Sequence, residues 1–248
     1  MIGSALRLEP EETSDIRLPV ASLTTSSTAD FPGRRAAVIH LQGCPLQCGY
    51  CEVSEMAPTR RGDPGEWEAM RAFLQARPDG LDAVVFSGGE PTLHADLPRT
   101  LEQAREMGLA VGLHTAGPYP ERLAALLPQL DWVALDVKGR GRDFDRICGR
   151  RGIWQQHARS LSLLLEGDTP FECRTTVHWR DFALEDLERL AMTLADCGVR
   201  RYAIQVARVE RCRDPDYCLP VAGAPTLEAL EALARRLTPH FTGFELRH

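Results

Sequence analysis

The chain has 248 residues, enough for one α/β-barrel-sized domain or two small ones, and its 44% hydrophobic and 26% charged residues are ordinary for a globular protein with a sizeable core. A net charge of −6 argues against a general nucleic-acid surface. No run of about 18 apolar residues exists to span a membrane, and Glu9, Glu11 and Glu12 occupy the place where a secretion signal needs an apolar run, so a cytoplasmic location with reduced thiols is expected.

Residues 1–33 read as an irregular N-terminal extension, with a Ser/Thr run at Thr24–Thr28 and a turn signal at Phe31-Pro32-Gly33. Residues 34–248 read as the main domain. Ala36–Leu41 is a short apolar run that predicts a strand, and three cysteines follow in a loop. Glu66–Gln75 sets Trp67, Met70 and Leu74 on one helical face. Asp82–Phe86 predicts a buried strand running into Ser87-Gly88-Gly89-Glu90. A helix over Leu97–Met107, a strand over Leu109–Leu113, and a short helix over Tyr119–Leu127 with Pro120 in its first turn come next. Trp132–Val137 is a strand, Ile153–Glu166 a helix and Phe171–Val177 a strand. Leu184–Asp196 carries Leu187, Leu190, Ala191 and Leu194 at helical spacing. Arg201–Val206 is a strand, Thr226–Leu237 a helix, and Phe241–Leu246 a last short strand.

Strands alternating with helices imply βαβ units and a parallel sheet. Six such units predict an α/β fold, a partial (β/α)6 barrel of the TIM type. Chemistry in such barrels sits at the C-terminal ends of the strands. The cysteine loop, Ser87–Glu90, His114-Thr115, and Asp136 with Lys138 all fall at that end.

Eight cysteines need a reason in a reducing compartment. Cys44-x3-Cys48-x2-Cys51 is a tight cluster, whereas Cys148, Cys173, Cys197, Cys212 and Cys218 are scattered, as small buried apolar residues are. Three local thiolates suit a [4Fe–4S] cubane that keeps one iron free of protein ligands. Zinc is the competing reading, but it wants four ligands, and neither His40 nor His94 stands at zinc-finger spacing. Cys212 and Cys218, with Cys148 and Cys173 to complete a set, leave open a second cluster.

The CxxxCxxC motif, with Tyr50 before its last cysteine, and Gly88-Gly89-Glu90-Pro91 resemble the radical S-adenosylmethionine (SAM) superfamily. Within it the chain is similar to the activases of glycyl-radical enzymes, in particular those of anaerobic ribonucleoside-triphosphate reductases. The pieces are Asp30-Phe31-Pro32-Gly33, LQGCPLQCGYC, FSGGEPTL, His114–Gly117, ALDVKG at Ala134–Gly139, FECRTTVH at Phe171–His178 and RYAIQ at Arg201–Gln205. The resemblance implies two cofactors, a [4Fe–4S] cluster on Cys44, Cys48 and Cys51, and SAM. It implies that Gly88, Gly89 and Glu90 hold the SAM amino group, the glycines letting backbone approach closely. It implies that Lys138, of the Asp136-x-Lys138 segment, meets the SAM carboxylate, with His114, Thr115, Arg174 and Gln205 lining the pocket. It further implies a glycyl-radical protein as substrate, such as an anaerobic ribonucleotide reductase, and an electron donor such as flavodoxin or ferredoxin.

Activases typically carry Asp-Thr-Asn-Gly where this chain has His114-Thr115-Ala116-Gly117. His114 is then either a neutral hydrogen-bonding substitute or the sign of another substrate. The alternatives are a radical SAM enzyme acting on a small molecule or peptide, for example a 7-carboxy-7-deazaguanine synthase-like ring contraction, and a non-catalytic zinc module.

Overall fold

A computed structural model describes residues 15–247. Its single eight-stranded sheet runs in chain order. The strands are β1 (Val20–Ser27), β2 (Ala36–Leu41), β3 (Ala83–Gly88), β4 (Ala110–Thr115), β5 (Trp132–Asp136), β6 (Phe171–Val177), β7 (Arg201–Val206) and β8 (Gly243–Arg247). Between them lie α1 (Pro64–Ala76), α2 (Leu97–Glu106), α3 (Pro120–Leu126), α4 (Gly141–Ile147), α5 (Ile153–Glu166), α6 (Leu184–Asp196) and α7 (Leu227–Leu237). From β2 to β8 every neighbouring pair is parallel, while β1 pairs antiparallel with β2. The linear order leaves the sheet open, as a partial barrel requires.

Two differences from the sequence reading concern this count. Residues 20–27, expected to be irregular, form β1. Most of its residues are exposed, so it carries no apolar alternation and is held by backbone pairing along the edge of β2. Helix α4 was not expected either; only Phe144 and Ile147 of its seven residues are buried.

Strand residues alternate between two faces. On one face Ala37, Ile39, Leu41, Val84, Phe86, Val111, Leu113, Val133 and Leu135 pack with helix residues such as Trp67, Leu74, Leu101 and Leu123 in the main core. Parallel strands so covered read as continuous apolar runs, which is why they were legible. The other face lines the barrel. At its N-terminal end Ala36, Val38, Ala83, Val85 and Trp132 form a separate apolar group closed by Phe31. Gly112 makes room for this plug, since a Cβ there would stand 3.1 Å from the Phe31 ring. The same face, one or two pleats on, brings His40, Ser87, His114, Asp136, Arg174 and Gln205 to the C-terminal end.

Candidate active site

A cavity at this end is lined by Cys44, Cys48 and Cys51, by Gly88, Gly89 and Glu90, by His114 and Thr115, by Asp136 and Lys138, and by Gln205. Every residue singled out from the sequence except Arg174 reaches it. Residues not singled out also line it, among them Glu52, Thr176, Arg208 and Arg213.

The cysteine loop follows β2 and is latched from three sides. Its own returning segment, at the end of a short 3-10 turn over Ser54–Met56, accepts Gly43 N–H at Met56 O (2.6 Å) and Cys44 N–H at Ala57 O (3.0 Å). The residue closing α4 accepts Gln47 N–H at Cys148 O (2.8 Å). The segment after β7 donates Arg213 N–H to Cys51 O (2.9 Å) and Asp214 N–H to Gly49 O (3.0 Å), and the Tyr217 ring fills the space where a Cβ on Gly49 would stand. These backbone bonds fix a loop that has no regular structure of its own.

Burial pushes the Cys44 thiol up to about 12, and raises Cys51 as well. Cys48 moves the other way, to about 7, chiefly because Cys148 hydrogen-bonds to it. Among the described residues no three His, Cys, Asp or Glu side chains converge closely enough to hold one metal ion. The thiolates of a cubane bind three different irons, so three cysteines that line one cavity are a donor set that fits an iron–sulfur cluster.

The Gly88-Gly89-Glu90 turn also has a structural part. A Cβ on Gly88 would collide with Leu41 backbone, and one on Gly89 with the Gly43 carbonyl. The glycines therefore let the end of β3 press on the entrance of the cysteine loop, where Gly89 N–H bonds Leu41 O (2.9 Å) and Glu90 N–H bonds Gly43 O (2.8 Å). Gly88, at φ +100°, also needs the conformation that glycine favours. The Glu90 carboxylate, 1% exposed, accepts from Thr92 N (3.1 Å), Thr92 Oγ1 (2.5 Å), Thr115 Oγ1 (2.6 Å) and Ala116 N (3.0 Å). Its acceptor capacity is thus largely filled by the protein, and it staples the end of β3 to the end of β4. Thr115 is likewise engaged, donating to Glu90 and accepting from Gly117 N (2.9 Å).

Helix α5 backs this staple. His157 Nδ1 donates to Ala116 O (2.9 Å) and Ser160 Oγ to Gly117 O (2.9 Å). His157 is fully buried, stacks on Phe144 with ring centroids 4.3 Å apart, and has no partner at Nε2 among the described residues. Burial, which outweighs the Ala116 bond, pulls its pKa down to about 4.

Asp136 and Lys138 form an ion pair of 3.1 Å at the end of β5, with the Lys138 ammonium 5.6 Å over the Tyr50 ring. Burial opposes the charge on each, yet the pairing wins: Asp136 is held below the usual carboxylate range and Lys138 well above the usual amine range. The cavity thus contains a fixed cation beside the cysteine loop.

Arg174 stands behind the cavity wall. Its Nε donates to Glu172 Oε1 (2.8 Å), and its Nη1 approaches the His114 ring at 3.3–3.4 Å. His114 Nε2 donates to the Asp30 carbonyl (3.0 Å), which leaves Nδ1 to face Arg174. Burial and the Arg174 charge hold its pKa near 4, so His114 is a neutral hydrogen-bonding residue that ties β4 to the turn before β2. Among the described residues Cys148, Cys173, Cys212 and Cys218 do not come together as one group. Cys212 and Cys218 meet each other, with Cys212 N–H on Cys218 Sγ at 3.3 Å, while Cys148 lies under the cysteine loop and Cys173 is buried in β6.

Of the missed lining residues, Thr176 had a signal, since it shares the barrel-facing parity of Arg174 two residues earlier. Arg208 and Arg213 had none, because the segment after β7 has no periodicity and reaches the site through contacts distant in sequence.

No helix among the described residues is long and apolar enough to cross a membrane. The chain is 33% identical over 228 residues to a provisionally named glycyl-radical enzyme activating enzyme of Methanocaldococcus jannaschii, covering 88% of this chain and 92% of that protein. A PqqA peptide cyclase of Ruegeria pomeroyi is 32% identical over 67% of this chain and 45% of its own length. A 7-carboxy-7-deazaguanine synthase of Synechocystis is 31% identical over 51% and 58%. Among solved structures, QueE from Escherichia coli superposes with a TM-score of 0.61 at 18% identity, covering 95% of this chain and 96% of that one, a likeness of fold. The radical SAM superfamily pattern itself matches residues 38–194, the stretch that carries the cysteine loop, the Gly-Gly-Glu staple and the Asp136–Lys138 pair, and the chain therefore belongs to that superfamily, whose members use a [4Fe–4S] cluster and SAM.

Proposed function

We propose that the chain activates a glycyl-radical enzyme, such as an anaerobic ribonucleotide reductase, by removing hydrogen from a backbone glycine of that partner. Cys44, Cys48 and Cys51 hold the cluster. Lys138 pairs with the SAM carboxylate, replacing water with a fixed cation. The SAM amino group meets the backbone of Gly88 and Gly89, since the Glu90 carboxylate is engaged by its own neighbours. Thr176 and Gln205 close the far wall of the cavity. Glu90, Thr115, His114 and Arg174 act behind the ligand, holding the strand ends in register. When bound, the cluster and SAM supply the electron transfer that breaks the sulfonium bond and yields a 5′-deoxyadenosyl radical. The partner's glycine reaches it through the open mouth, and flavodoxin or ferredoxin serves as electron donor in a reducing cytoplasm.

The observation that carries this reading is likeness at 33% identity across 92% of a relative named for that activity. The second reading, a radical SAM enzyme acting on a peptide or small molecule, draws on the peptide cyclase and deazaguanine synthase relatives, whose likeness spans about half of each. One experiment separates them. Anaerobically reconstituted protein, reduced with dithionite and given SAM, is expected to form 5′-deoxyadenosine and, with a glycyl-radical reductase present, a glycyl radical detected by EPR on the partner. Cys48→Ala is expected to lose all SAM cleavage. Cleavage by wild type that leaves every candidate reductase without a radical, but consumes a peptide or metabolite, overturns the activase reading.

A further inference from the structure

The segment after β7 grips the cysteine loop with Arg213, Asp214 and Tyr217. Arg213 N–H bonds Cys51 O (2.9 Å), Asp214 N–H bonds Gly49 O (3.0 Å), and the Tyr217 ring takes the place of a Gly49 side chain. Tyr217 is itself anchored, its carbonyl accepting from His178 Nε2 (2.9 Å) and its hydroxyl donating to Asp181 Oδ1 (3.0 Å). Cys212 and Cys218 flank these gripping residues on either side, and neither has a part in the function above. The Asp214 carboxylate accepts Asp216 N–H (3.0 Å) and caps the short turn Pro215–Cys218. That turn folds the chain back until Cys212 N–H meets Cys218 Sγ at 3.3 Å. A cysteine's own sulfur is three bonds from its amide nitrogen, so the two sulfurs lie within a side-chain rotation of each other. Both cysteines are partly exposed, and the neighbouring Arg208, Val209 and Leu219 side chains are exposed. Cys148 and Cys173, by contrast, are fully buried.

We propose that Cys212 and Cys218 are a modification site, a dithiol that small-molecule disulfides oxidise to an intrachain disulfide, locking the segment onto the cysteine loop. One protein thiolate attacks the small disulfide, forming a mixed disulfide and expelling one small thiolate. The second protein thiolate attacks the protein sulfur of that mixed disulfide and expels the other. The two cysteines are thereby oxidised, the reagent is reduced to two thiols, and those thiols take up the two protons. An exposed disulfide that closes a short loop is of the reducible kind, which fits a reversible signal in a reducing compartment. Closing the seven-residue loop Cys212–Cys218 restrains Arg213, Asp214 and Tyr217 relative to one another, so the segment leaves the cysteine loop less often.

The test is made anaerobically on the reconstituted full chain, treated with excess oxidised glutathione in the absence of dithionite, then alkylated and digested with trypsin. Trypsin cuts after Arg211 and Arg213, so the disulfide is expected as the dipeptide Cys212-Arg213 linked to the peptide that carries Cys218, and dithiothreitol is expected to separate the two. In the oxidised protein, release of iron to a chelator is expected to slow by about tenfold. Cys212→Ser and Cys218→Ser should give neither the linked peptide nor the slowing. Glutathione left on one cysteine without the linked peptide overturns the proposal, as does a linked peptide in a protein that releases iron at the unmodified rate. The iron readout rests on the cysteine loop carrying the cluster and the peptide map does not, so failure of that assignment is distinguishable from failure of this one.

Discussion

The two ends of the barrel's inner face are built from the same strands at the same side-chain parity, yet they share almost no chemistry. At the N-terminal end Ala36, Val38, Ala83, Val85, Trp132 and Phe31 exclude water. At the C-terminal end, His40, Ser87, His114, Asp136, Arg174 and Gln205 replace them. The lower end is closed by the turn that precedes β2, so its residues gain by being apolar and close-packed. The upper end opens to the cavity, where a polar side chain can meet a ligand. The difference teaches that position along a strand, more than the strand itself, decides whether a residue serves stability or function.

The comparison breaks most readily at Trp132. It is 4% exposed, sits 6.3 Å from Phe31 between ring centroids, and carries the Arg201 guanidinium 5.6 Å over its ring. Trp132→Ala should cost about 3–5 kcal/mol of stability through lost burial and the cavity left behind. Urea unfolding measures it. In the fraction that stays folded SAM affinity should be close to wild type. A cost below about 1 kcal/mol would mean that the plug is not what holds the lower barrel together.

Lys138, at the upper end, should show the reverse pattern. Losing its charge-assisted contact should weaken SAM binding by about 1.5–3 kcal/mol, or roughly tenfold to hundredfold. Equilibrium binding of SAM to reconstituted Lys138→Ala checks this. Unchanged affinity would remove Lys138 from the site and leave it as the partner of Asp136 only.

How much of this was legible depended on the kind of signal. Buried strands announce themselves as apolar runs, and the six strands from β2 to β7 were all read, with ends shifted by a residue or two. Strand β1 was not, because VASLTTSS is an exposed edge whose order comes from pairing with β2. Helix α4 starts at a glycine and buries only two side chains, too few to set a period. The site's inventory was legible because its motifs lie just past strands, but its internal wiring was not. Nothing in Gly-Gly-Glu says that the carboxylate turns inward to Thr92, Thr115 and Ala116, or that Arg174 stops at His114. Those outcomes depend on which donors the neighbouring strand brings within reach. The segment bearing Arg208 and Arg213 lay beyond any local rule.

His157 tests the most indirect consequence of the comparison, that the upper end is held by polar groups which tolerate no added charge. Its Nδ1–H is committed to Ala116 O, so protonation must occur at Nε2, which is buried without a partner. The ring consequently resists protonation until about pH 4, against 6.5 when unfolded. Between those values the unfolded chain binds a proton that the folded chain refuses. Stability therefore falls as pH drops from about 6.5 towards 4, with a slope of about 1.4 kcal/mol per pH unit for one proton. Above about 6.5 neither state is protonated and the penalty vanishes; below about 4 both are, and no further loss accrues from this group. His114, depressed to about 4 as well, adds a second proton over the same window. His157→Gln keeps an N–H for Ala116 but cannot titrate. Its thermal unfolding should depend less steeply on pH between 6.5 and 4, by about one proton, while differing little from wild type near neutrality. An unchanged pH slope would mean that water or a shifted side chain reaches Nε2 and that the back of the β4 staple is wetter than its packing against Phe144 implies.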